Sequence, residues 1–173
     1  MKTWIALLRG INVGGKHIVP MKELTKLMES AGFSNVQTYI QSGNLVFQSS
    51  TKPKHEIGQL IEKRYGFKPS VFIMSTNDFK KAAAKNPFET DLGKTVHFFF
   101  FNQQPEIVDY DLLNSLKAES ESYRLQASTF YLHAPDGIGR SKLVEKIAKV
   151  FPDVDMTARN LNTINKLLDM VNQ

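Results

Sequence analysis

The chain has 173 residues, 42% hydrophobic and 23% charged, with a net charge of +5; it has the composition of a soluble globule and is long enough to bury about 70% of its unfolded surface without a metal or disulfide staple. It contains no cysteine, which excludes disulfides, thiolate nucleophiles, iron–sulfur clusters and Cys-type zinc sites. No apolar run approaches the ~18 residues of a membrane-spanning helix, and the run Trp4–Leu8 before Arg9 is too short for a signal peptide, so a cytoplasmic protein with no membrane partner is expected.

In chain order, Thr3–Leu8 predicts a first strand. Pro20–Ala31 predicts a helix, with Pro20 at its first position and Gly32 just past its end. Val36–Gln41 and Asn44–Gln48 predict two strands joined by a tight hairpin turn at Ser42-Gly43. A helix from about Pro53 to Gly66 and a strand over Ser70–Met74 complete the order β-α-β-β-α-β, the split βαβ of ferredoxin-like folds. A short helix over Asn77–Lys85 and a polar segment at Asn86–Lys94 follow. Thr95–Phe101 is the most β-prone run; its four phenylalanines suit a strand buried on both faces better than a base-stacking platform. Next come a helix over Pro105–Ala118, strands at Ser122–Gln126 and Thr129–His133, and a helix over Ser141–Val150. That order gives a second split unit lacking its last strand. A final helix is expected over Thr157–Met170, with Thr157 as its cap and Leu161, Ile164, Leu168 and Val171 as its apolar stripe. The expected fold class is α+β, with a ferredoxin-like half at 1–86, a second related half at 87–173 and a C-terminal helix.

Between the first strand and first helix lies Arg9-Gly10-Ile11-Asn12-Val13-Gly14-Gly15-Lys16. Glycines let an anion approach backbone N–H groups that a Cβ would shield. The loop is neither a P-loop, because His17 follows Lys16, nor a dinucleotide fingerprint, because Gly10 and Gly14 are too far apart. A purely geometric turn explains the glycines equally well. A second glycine turn, Asp136–Lys142, leads to a helix that Ser141 can cap, with Arg140 and Lys142 beside its positive end. Two cations there oppose the helix dipole, a cost that a bound anion would offset. In the last predicted helix, Arg159, Thr163 and Lys166 fall on one face, and no acid occurs from Thr157 to Leu168. Tyr39, Gln41, Ser42 and Asn44 surround the hairpin turn as possible readers of a polar ligand edge, or simply as turn formers.

Catalytic patterns are thin. The four histidines show no metal-ligand spacing, so neither a metal nor a cofactor is expected. His97 reads as a core residue. His17, beside Lys16, is the better base candidate, with no orienting acid nearby in sequence.

The strings LLRGINVGGK (7–16), VPM (19–21), YIQSGNLVF (39–47), GRSKL (139–143) and TARNLNTINKL (157–167) resemble the bacterial family known as domain of unknown function 1697. The resemblance spans nearly the whole chain and implies an α+β protein with no established activity. Its matching positions here are Arg9, Gly10, Asn12, Gly14, Gly15, Gln41, Ser42, Gly43, Asn44, Ser141, Lys142, Thr157, Arg159, Asn160 and Thr163. Taken with Lys16 and Arg140, these residues are rich in hydrogen-bond donors and poor in acids, a combination suited to phosphate or carboxylate. The leading expectation is an anionic, phosphorylated small ligand held where the strand-to-helix loops of the two halves converge. The alternative is a nucleic-acid-binding module using the basic N-terminal half, since residues 1–86 hold 13 Lys+Arg against 5 Asp+Glu. A cationic surface for an acidic protein partner is a third reading.

Overall fold

Strand β1 (Lys2–Arg9) is buried continuously from Trp4 to Leu8. A strand apolar on both faces belongs inside a sheet, and β1 lies between β3 (Asn44–Ser49) and β4 (Ser70–Ser75), antiparallel to each. β2 (Ser34–Tyr39) pairs with β3, giving the order β2-β3-β1-β4. Helices α1 (Met21–Ser30) and α2 (Glu56–Tyr65) turn Met21, Leu24, Met28, Ile57 and Ile61 onto the sheet face of Trp4, Ala6 and Leu8. Alternation along β1 sends Ile5 and Leu7 to the other face, where both are also buried. α3 (Thr76–Ala84) follows β4 directly. This is the ferredoxin-like arrangement expected from the sequence. The computed structural model describes all of residues 1–173.

The second sheet is built from β5 (Val96–Phe101), β6 (Ser122–Gln126), β7 (Thr129–His133) and β8 (Met156–Asn160), in the order β6-β7-β5-β8. Position for position, this repeats the first sheet. Helices α4 (Tyr110–Leu116), α5 (Lys142–Glu145) and α6 (Ile147–Val150) cover the face carrying Phe99, Phe101, Phe130 and Leu132. All four phenylalanines of β5 are buried, so they form core. By its contacts the chain divides into two compact units, Met1–Lys81 with Lys166–Gln173, and Ala82–Asn165. No helix is long and apolar enough to cross a membrane.

Several elements differ from expectation for identifiable reasons. The second half does not lack its last strand: Thr157–Asn160, expected as the first turn of a helix, pairs along β5 as β8. Helix α7 (Leu161–Val171) starts only after it, and its cap is Asn160, whose Oδ1 accepts the Thr163 N–H at 3.0 Å, not Thr157. Consequently Arg159 shares no helix face with Thr163 and Lys166, and the residues α7 buries are Thr163, Ile164, Leu167 and Met170. The β2–β3 connection is four residues, Ile40–Gly43, rather than a two-residue turn. The expected helix over Pro105–Ala118 begins at Tyr110, where the Asp109 carboxylate caps the Leu112 N–H at 2.9 Å. The helix expected over Ser141–Val150 breaks at Lys146 into α5 and α6.

Candidate anion-binding loops

The loop from β1 to α1 is a small, tightly held hairpin. The Lys16 N–H donates to the Val13 carbonyl at 3.0 Å and the Asn12 N–H to the His17 carbonyl at 3.0 Å. Gly14 and Gly15, both at positive φ (57° and 71°), form the two-residue tip, a geometry that favours glycine at both positions. Ile11 and Val19 are buried and anchor the two ends.

Asn12 fastens this hairpin to the β2–β3 connection. Its Oδ1 accepts the Val19 N–H at 2.8 Å, and its Nδ2 donates to the carbonyls of Val19 (3.0 Å) and Gln41 (2.8 Å). Its side-chain amide is thereby committed to backbone, and Asn12 positions the loop. Gly43, at φ 88°, is required by space as well as angle, since a Cβ there would lie 2.7 Å from the Leu8 Cβ and 2.9 Å from the Ile11 Cδ1. Asn44 is fully buried and donates through Nδ2 to the Tyr39 carbonyl (2.9 Å) and the Ser42 hydroxyl (3.0 Å). The buried amide thus orders the turn, while Gln41 and Ser42 remain at the surface.

His17 lies at positive φ (52°) with its ring stacked on Phe67 at 4.2 Å between centroids. Its Nδ1 faces the Gly10 carbonyl at 3.1 Å. A carbonyl can only accept, so in the neutral ring Nδ1 carries the proton and Nε2 is the basic nitrogen. The amides of Gly14 and Gly15 take no acceptor within the protein. Arg9, Gly10 and Lys16 are exposed, and no acid occurs in the chain before Glu23.

The second glycine turn is built differently. The Ser141 hydroxyl accepts the Val144 N–H (3.2 Å) and donates to the Glu121 carboxylate at 2.6 Å, both residues being buried. The other Glu121 oxygen accepts the Ala118 N–H at 2.8 Å. This helix start is therefore occupied by the protein's own carboxylate, while Arg140 and Lys142 are exposed beside the exposed acid Asp136. Sequence reasoning missed Glu121 because it lies 20 residues upstream of its partner in an unremarkable polar stretch.

Arg159 is buried on β8, opposite Phe98 of β5. Its Nη1 donates to the Thr157 hydroxyl at 2.9 Å and the Ala158 carbonyl at 2.8 Å. Burial lowers its pKa to about 10, so the guanidinium is still charged at neutral pH. Asn160 is committed as the α7 cap, and Thr163 is buried in the first turn of that helix. Within Met1–Lys81 the structure thus joins the Gly10–Lys16 hairpin to the Gln41–Asn44 turn. Arg140–Lys142 and Arg159–Thr163 occur in Ala82–Asn165.

Residues 1–131 match the family described as Protein of unknown function (DUF1697). A solved structure, described as conserved bacterial protein SP0830 from Streptococcus pneumoniae, is similar over 100% of this chain and 99% of its own length, at 27% identity and a TM-score of 0.73. No curated protein matches the chain. With three quarters of its length matched by one family's pattern, including the Gly10–Lys16 hairpin and the Gln41–Asn44 turn, the chain belongs to the DUF1697 family.

Proposed function

We propose that this protein binds an anionic, phosphorylated small ligand at the β1–α1 hairpin. The observation that carries the reading is the Gly14-Gly15 tip. Two adjacent amides without protein acceptors stand beside Lys16, in a segment without acids whose shape is fixed by the Asn12 amide. Backbone N–H groups held by a rigid loop bind phosphate at little ordering cost. Gln41 and Ser42 are tied to the hairpin through the Asn12–Gln41 bond and supply neutral polar groups for the rest of a ligand. The glycine turn before α5 is a weaker candidate, because Glu121 already takes its serine hydroxyl.

Thermal-shift titration with inorganic phosphate, a hexose phosphate, a nucleoside monophosphate and a 20-mer oligonucleotide tests this. A compact anion site gives a saturable, dose-dependent rise in melting temperature with at least one of the first three. Lys16→Ala should weaken that binding about 10-fold or more, the usual worth of a charged hydrogen bond, whereas Lys142→Ala should leave it unchanged. Stabilisation by the oligonucleotide alone, falling steeply with salt, would replace this reading with the nucleic-acid one.

A further inference from the structure

The four sheet edges are not equally protected. Edge strands expose unpaired backbone groups, and proteins guard them with bulges, charges or prolines. β2 carries a bulge at Asn35, which sits at positive φ (48°). β6 holds exposed Arg124 at its centre, and β8 holds Arg159. β4 has none of these devices. Its sequence is Ser-Val-Phe-Ile-Met-Ser, its register with β1 is continuous from Ser70 to Ser75, and most of its side chains are only half-buried. It pairs with β1 alone, and its backbone makes no other hydrogen bond.

Beside this edge, between β4 and α2, lies a cavity of about 100 Å³. Ile57, Gly58, Val71 and Ile73 give it an apolar lining, and Lys54 and Lys68 add positive charge. A Cβ at Gly58 would make only ordinary contact with the Lys68 stem, at 3.4 Å. The space is far below the roughly 300 Å³ or more of a small-molecule site but admits one branched aliphatic side chain. Glu56, the acid of the first α2 turn, accepts the N–H groups of Lys54 (2.6 Å) and His55 (2.8 Å), and hydrogen bonds from its own backbone first, then from these two, hold its pKa below the usual carboxylate value.

We propose that β4 is a docking edge for an extended, acid-bearing peptide segment of a partner protein, which adds as a fifth strand and seats one aliphatic side chain in the α2–β4 cavity, with its carboxylate on Lys54 and Lys68. Main-chain pairing supplies affinity in such strand addition, and the pocket supplies selectivity. Charge argues against a second copy as the occupant: residues 1–81 hold 12 Lys+Arg against 5 Asp+Glu, and two such surfaces repel.

The test uses fluorescein-labelled Thr-Val-Thr-Val-Asp and its Asn- and Lys-ended analogues, titrated into the full chain. Anisotropy should rank them Asp, Asn, Lys, with about a tenfold span. Lys68→Glu, a change at an exposed residue, should invert that order. Amide shifts and slowed exchange should centre on Ser70–Ser75 and Lys54–Gly58. Equal binding of all three, no binding at millimolar peptide, or shifts centred elsewhere would overturn the proposal. So would concentration-dependent dimerisation through β4 that the peptide cannot displace.

Discussion

His97 shows how one buried group sets a pH response. It lies in β5 among phenylalanines, largely inaccessible, and its Nδ1 has no hydrogen-bond partner. Burial pushes its pKa below the ordinary histidine value of 6.5. A depressed histidine stays neutral in the fold while the unfolded chain takes up a proton below about pH 6.5. Stability attributable to this residue is therefore intact above that pH and declines as the pH falls toward the folded-state value, with a slope of up to about 1.4 kcal/mol per pH unit. His97→Leu removes both the titration and the unpartnered nitrogen at similar volume. Urea melts at pH 7.5 and 5.5 should show the variant at least as stable as the parent at pH 7.5, with a smaller loss on acidification. An equal loss in both proteins would place the acid sensitivity in other groups.

The β6–β7 hairpin carries a comparable local cost at the scale of the element. Its two-residue connection is Ala127-Ser128, and Ala127 sits at φ 52°, a conformation that penalises any residue with a Cβ. Ala127→Gly should therefore raise stability by about 0.5 kcal/mol and the melting temperature by a degree or more, even though glycine loses more chain entropy on folding. A fall in melting temperature would mean that the Ala127 methyl group makes a contact worth more than the strain. Elements whose signals are local were legible in the sequence in the same way. β1 and β5 are apolar runs, and Asn160, Ser141 and Asp109 obey ordinary capping chemistry once their helix starts are fixed. β8 was not legible, because Thr157–Asn160 is polar and runs straight into a helix; its strand state comes from pairing with β5, about 60 residues earlier in the chain. The candidate site divides likewise. Its glycines declared themselves through composition, but the Asn12–Gln41 bond spans 29 residues and the Ser141–Glu121 bond 20. No local pattern encodes such partners, and they decide which loop keeps its donors available.

At the scale of the whole molecule, the last helix ties the end of the chain to its beginning. The unit formed by Met1–Lys81 also includes Lys166–Gln173, the end of α7 and the residues after it. Leu167 and Met170 in that stretch are buried. The N-terminal segment therefore does not complete its own packing, although it holds every strand of its sheet. Truncating a fully buried leucine costs about 2–5 kcal/mol through lost transfer energy and the cavity left behind, so Leu167→Ala should destabilise by that amount. The chain has a single tryptophan, Trp4, buried in β1 with its indole N–H unpartnered. Its emission reports on the N-terminal sheet, more than 160 positions away in sequence from the mutated residue. In urea melts of the variant, the Trp4 transition should move to lower denaturant together with the far-ultraviolet circular dichroism. A dichroism transition that shifts while the Trp4 transition stays in place would show that the end of α7 contributes nothing to the stability of the N-terminal unit.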